Sequence, residues 1–204
     1  MPDGANHVAF AYSADGKDRF TTVWPNFNLL DGTKDFSGNW EWGDAWANDG
    51  TYKGLTVKKT TKQWGGIHKT FTAPEDGTYT FSAYVKSSGS DANAVRFSLL
   101  NNSALPSLKR TFSNDFDWLR DSTTVALKAN DQVSARYEIT GSASDSALWT
   151  AGHKWEQGST ATPYMPSFSE ATAEDYPSYI GIYTDNNSNE QSTDPEKYSW
   201  KKIE

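Results

Sequence analysis

Residues 78–87 read TYTFSAYVKS, and Tyr79, Phe81, Ala83 and Val85 alternate with polar or small residues. A period of two marks a β-strand with one face turned to a core. DQVSARYEIT (131–140) repeats the pattern, placing Val133, Ala135, Tyr137 and Ile139 on one side. GLTVKKT (54–60), GIHKTFTA (66–73), AVRFSLL (94–100), SLKRTF (107–112), STTVALKA (122–129) and ALWTAGHKWEQG (147–158) are further predicted strands. Turn signals such as PEDG (74–77) separate them. No long apolar stripe of helical period occurs, so helices are expected to be short. Many strands at this spacing predict an all-β sandwich.

The two ends depart from this pattern. Residues 1–25 are polar with scattered aromatics and a turn at ADGKD, and read as a lead-in or linker. Residues 26–163 hold the sandwich. Residues 164–204 form an acidic, aromatic connector whose best structured piece is SYIGIYTD (178–185), with ATAED offering one helical turn. This tail is too small to fold alone, and Trp200 is expected to dock it on a neighbouring protein.

Composition sharpens the picture. Only 36% of the 204 residues are hydrophobic, yet 14% are aromatic, including 9 Trp. Such a chain builds its core from few, large side chains and has rings to spare for display. The net charge of -7 and the lack of a Lys/Arg cluster argue against a nucleic-acid surface. There is no cysteine, hence no disulfide, thiolate nucleophile or Cys metal site. No apolar run reaches the length of a membrane span, so no membrane insertion is expected. The first residues lack a secretory signal, so extracellular action implies release by lysis or another route.

Several phrases resemble a known family. NLLDGTKDFSGNW (28–40) is similar to the opening of the jelly-roll carbohydrate-binding modules of the cellulose- and xylan-binding family. YKGLTVKKTTKQWGGIHKTFTAPEDGTYTFSAYVKS (52–87) resembles that family's central strands. ALWTAGHKWEQGSTATPYMP (147–166) resembles the closing strand of the version carried by phages of lactic-acid bacteria. HVAFAYSADGKDRFTTVWPN and EDYPSYIGIYTDNNSNEQSTDPEKYSWKKI resemble the segments flanking such modules in phage tail-tip and baseplate proteins. The resemblance implies a jelly-roll β-sandwich, galactose-binding-like, in a virion tail or baseplate. It implies a partner in host cell-wall polysaccharide and further partners among other tail or baseplate proteins. No cofactor is required. Modules of this fold often hold a structural Ca²⁺, for which Asp35 is the nearest ligand.

Saccharides are held by flat rings against their CH faces and by fixed polar groups reading their hydroxyls. GNWEWGDAW (38–46) therefore attracts notice. Trp40 sits at the family's Gly-Trp position and is expected in the core. Trp42 and Trp46, beside Asp44, are candidate platforms if Gly43 breaks the strand. If residues 40–46 instead form one strand, all three rings face one way. Trp64 before two glycines is another candidate ring. FSNDFDWLR (112–120) contributes Asp115, Trp118 and Arg120. Trp149 and Trp155 share parity and are expected to face the same side. His7, His68 and His153 have no metalloprotease spacing. The expected role is non-catalytic binding. A ligand-free structural spacer is the alternative, and a polysaccharide hydrolase, which needs two carboxylates at the correct separation, ranks behind it.

Overall fold

The computed structural model describes residues 4–141 and 144–204. Their strands are β1 (Ala5–Ala11), β2 (Ala47–Tyr52), β3 (Leu55–Thr60), β4 (Phe71–Thr72), β5 (Gly77–Ser88), β6 (Ala94–Leu100), β7 (Ser103–Ala104), β8 (Arg110–Thr111), β9 (Phe116–Leu127), β10 (Gln132–Ile139), β11 (Ala147–Gln157), β12 (Tyr179–Asp185) and β13 (Ser199–Lys202). The chain forms two compact units. One is Phe27–Ser169; the other joins the residues up to Asn26 to Glu170–Glu204.

The larger unit is an antiparallel jelly-roll sandwich. One sheet runs β2-β3-β11-β5-β9, and the other β4-β10-β6-β7 with β8 on β6. The alternating residues meet between them. Tyr79, Phe81, Ala83 and Val85 from the first sheet pack with Val133, Ala135, Tyr137 and Ile139 from the second, all buried. Each large apolar side chain removed from water in this way contributes about 1.5–3 kcal/mol. A polar pin crosses the same core. Asp121 on β9 accepts from Arg96 Nη1 at 2.6 Å and from Tyr137 Oη at 2.7 Å, both on the opposite sheet. Burial, then the Asp121 charge, pushes the Tyr137 phenol well above its usual range.

One strand breaks the expected parity. β11 pairs β5 with Ala151 opposite Tyr84 and then Lys154 opposite Ser82, so β11 carries one extra residue. Gly152 sits at this bulge with φ 64, and a Cβ there would lie 2.8 Å from Leu55 Cδ1. An inserted residue reverses the faces of everything beyond it. Trp155 is therefore buried in the core, while Trp149 packs on the outer face of the same sheet. The two rings do not share a side.

The ends of the chain also differ from the sequence reading, which keeps them apart as lead-in and connector. β1 pairs antiparallel with β12 along its whole length, from Ala5 opposite Asp185 to Ala11 opposite Tyr179, and β13 completes a three-stranded sheet. His7 stacks on Tyr183 at 4.5 Å and its Nε2 lies 2.8 Å from Asp185. Trp200 is used within this unit: it contacts Phe20 and Tyr198, and its Nε1 donates to Pro195 O. ATAED supplies one 3-10 turn at Ala173–Asp175, closed by a capping box from Thr172.

Candidate functional site

GNWEWGDAW does not run as one strand. Trp42 takes a left-handed conformation (φ 62), and Gly43–Ala45 follow as one turn of 3-10 helix. That turn separates the rings. Trp40 is half-buried, packed on Phe36 and His153, with its Nε1 donating to Ser37 O. Trp46 is only 6% exposed and donates its indole N–H to Gly65 O at 2.9 Å. It belongs to the core, so the expectation of Trp46 as a presented ring is corrected: the turn swings it inward. Trp42 is 58% exposed and Trp64 51%. The Trp42 ring lies against Gly65, the residue after Trp64, where an added Cβ would be 3.2 Å from it. Trp64 (φ 61) and Gly65 (φ 68) are both left-handed, so the chain turns here, with Trp64 N–H donating to Ile139 O at 3.0 Å. Asp44 is exposed in the adjoining turn.

A cleft of about 330 Å³ opens on the outer face of the β4-β10-β6 sheet, and Glu41, the neighbour of Trp42, is in its wall. Its walls include Glu41, His68, Thr72, Gln132, Ser134 and Arg136. The backbones of Glu41 and His68 exchange hydrogen bonds at 2.9 and 3.1 Å, adding a further chain alongside the sheet. Alternation on β10 then explains the floor: the residues between its core positions are Ser134, Arg136 and Glu138.

These groups are held by one another. Gly66 N–H donates to Glu138 Oε2 at 3.0 Å. His68 lies 2.9 Å from Gly66 O through Nδ1 and 3.1 Å from Glu41 Oε2 through Nε2. Burial holds the His68 imidazole below its usual pKa, so near neutral pH it has one N–H for two acceptors. Arg136 donates Nη2 to Ser134 Oγ at 3.1 Å and lies over the Phe97 ring. Its Nε–H is buried and finds no acceptor among the described residues. Burial lowers the guanidinium's pKa, opposed by the charges of Glu138 and Glu41. An unsatisfied buried donor lining a polar cleft is costly unless a ligand or water completes it. The signal for this floor was present in the sequence as the polar half of an alternating strand.

The remaining candidates lie elsewhere. Trp118 is on the outer face of the other sheet, stacked on Tyr52 at 4.5 Å. Arg120 Nη2 donates to Ser82 Oγ and Thr162 O, fastening the segment after β11, and it does not pair with Asp115. Asp115 is exposed just before β9. The structure therefore does not bring Asp115, Trp118 and Arg120 to the cleft. Asp35 Oδ1 accepts from Ser37 N–H. Among the described residues, no group of three or more His, Cys, Asp or Glu is arranged to hold a metal.

No family model matches the chain, and no curated protein matches it. Solved structures do. All of the chain (100%) aligns with 80% of a chain in the tripod (BppUct-A-L) from the baseplate of bacteriophage Tuc2009, at 24% identity and a TM-score of 0.68. The CBM22-1 xylan-binding domain of Paenibacillus barcinonensis Xyn10C aligns over 67% of this chain and 99% of its own, at 15% identity and a TM-score of 0.45. TmCBM61 in complex with beta-1,4-galactotriose aligns over 65% of this chain and 100% of its own, at 8% identity and a TM-score of 0.46. The likeness to the baseplate chain is one of fold and spans both compact units.

Proposed function

We propose that this chain is a non-catalytic saccharide-binding component of a phage tail or baseplate, with the cleft over β10 as its binding site. The observation that carries the reading is a polar cleft lined by Glu41, Gln132, Ser134 and Arg136, with the exposed Trp42 next in the chain to Glu41 and the Arg136 Nε–H without an acceptor among the described residues; Trp64 is the second exposed ring on this part of the chain. A pyranose needs both: a ring for its apolar CH face and fixed donors and acceptors for its hydroxyls. Glu41, Gln132 and Ser134 supply acceptors and donors around the guanidinium. The baseplate origin of the chain with TM-score 0.68 supports the setting in a virion, where other tail proteins are neighbours and the host cell-wall polysaccharide is the ligand. The carboxylates of the cleft serve its shape. Glu138 receives Gly66 N–H and Glu41 faces His68.

A single shallow site of this kind binds weakly, and many copies on one particle supply the avidity. The test is a screen of isolated host-wall polysaccharides against the intact chain, read by tryptophan emission. A saturable change with at least one polysaccharide is expected. Uniform silence across the panel counts for the ligand-free spacer, and release of reducing ends counts for a hydrolase.

A further inference from the structure

Trp118 is left over from the cleft, and its surroundings have their own chemistry. The outer face of the β2-β3-β11-β5-β9 sheet is half covered. Tyr164 lies over Leu55, Val57, Tyr84 and Ala151 as a second small core, and Lys154 and Glu156 are sealed beneath with Thr162. Beyond that cover, Tyr52, Trp118 and Trp149 stand half-buried in a row. Lys86 Nζ lies between two of the rings, 4.5 Å from Trp149 and 5.9 Å from Trp118. Lys59 Nζ lies 5.2 Å from Trp149. Strand register explains the group, since Trp149 is opposite Lys59 on β3 and Lys86 on β5. Two carboxylates lie at this end: Asp49 takes the Trp149 indole N–H at 2.7 Å, and Asp117 takes the Trp118 backbone N–H at 2.8 Å.

The ring faces here are already occupied, Trp118 by Tyr52 and Trp149 by the ammonium groups. That disfavours sugar stacking. What the ledge offers outward is positive charge held in place, on a chain whose net charge is -7. An ammonium on a ring is oriented without being neutralised, so it keeps its attraction for an anion.

The geometry points to a second binding surface on this ledge, for an anionic polymer carrying phosphodiester or carboxylate groups, with Lys59 and Lys86 as its contacts. It is separate from the cleft in place and in ligand chemistry. The probes are sodium polyphosphate and polygalacturonate, with dextran as the neutral control, titrated into the intact chain while tryptophan emission is followed. Binding of one or both polyanions is expected at low salt, weakened as NaCl rises from about 20 to about 300 mM. Which of the two binds more tightly assigns phosphate or carboxylate as the preferred group. The K59Q/K86Q variant is expected to bind about three- to tenfold more weakly, the strength of two exposed ion pairs. K59R/K86R is expected to keep binding, and so is W42A/W64A. The proposal is overturned by silence with both polyanions, by undiminished binding in K59Q/K86Q, or by loss of binding in W42A/W64A instead.

Discussion

Replacing Trp46 and Trp42 by alanine separates two rings that sit four residues apart. Trp46 is 6% exposed, so truncation removes most of a large aromatic burial. Roughly 150–250 Å² at about 25 cal/mol/Å² is about 4–6 kcal/mol, an upper figure because unfolded chains already bury some of that surface. The lost indole N–H also strands Gly65 O, 2.9 Å away, which adds about 1 kcal/mol. Measured costs for buried tryptophans run roughly 3–5 kcal/mol, and about 4 kcal/mol is expected here. Trp42 is 58% exposed, so its removal is expected to cost about 1 kcal/mol. Urea denaturation of the intact chain, followed by far-ultraviolet circular dichroism, measures both. Trp46→Phe, which keeps the burial and loses the hydrogen bond, is expected between the two. Equal costs for Trp42→Ala and Trp46→Ala, or a loss under about 2 kcal/mol for Trp46→Ala, would refute the inward turn at Gly43–Ala45.

Other perturbations test the rest of the sandwich. Asp121→Asn leaves the buried Arg96 without its counter-charge and is expected to cost about 3–5 kcal/mol by urea denaturation; a cost below about 1 kcal/mol contradicts the pin between the sheets. Gly152→Ala puts a side chain at φ 64 against Leu55 and is expected to cost about 1–3 kcal/mol, against almost nothing if β11 ran without its bulge. His153 is buried among rings, which lowers its pKa to about 3 from the ordinary 6.5. The unfolded chain therefore binds the extra proton between those values, so stability is complete above pH 6.5 and falls as pH drops toward 3. This one group is expected to remove about 2 kcal/mol between pH 6.5 and 5, with His68 acting in the same direction. Denaturation midpoints that are flat over that range, or equally steep in His153→Gln, contradict the assignment.

The strands of the sandwich were legible because alternation is a local signal: Tyr79 to Val85 and Val133 to Ile139 all point where the period places them. What was not legible came from residues distant in sequence or from single backbone irregularities. The bulge at Gly152 reverses Trp155 relative to Trp149, and no count of parity along ALWTAGHKWEQG reveals it. The strand does break at Gly43, but a left-handed Trp42 and one short turn bring Trp46 inward instead of presenting it beside Trp42. Trp118 was a candidate sugar contact, and its stacking partner, Tyr52, is far away in the chain. The pairing of β1 with β12 joins the two ends of the chain, which composition could describe only as separate tails. In the candidate site, Trp42 and Trp64 were visible as aromatics beside glycines. Arg136, Glu138 and His68 were not singled out, because a charged residue on a strand normally faces water and here a neighbouring segment covers it.

On the proposed function, a saccharide in the cleft over β10 is held by Trp42, Trp64 and Arg136. The most direct measurement of this is the titration of wild type, W42A/W64A and R136M with an isolated host-wall polysaccharide, each first shown to be folded. Saturable binding by wild type is expected, with a loss of about tenfold or more in each variant, the worth of one charge-assisted hydrogen bond in the case of Arg136. Wild-type affinity retained in both variants would contradict it.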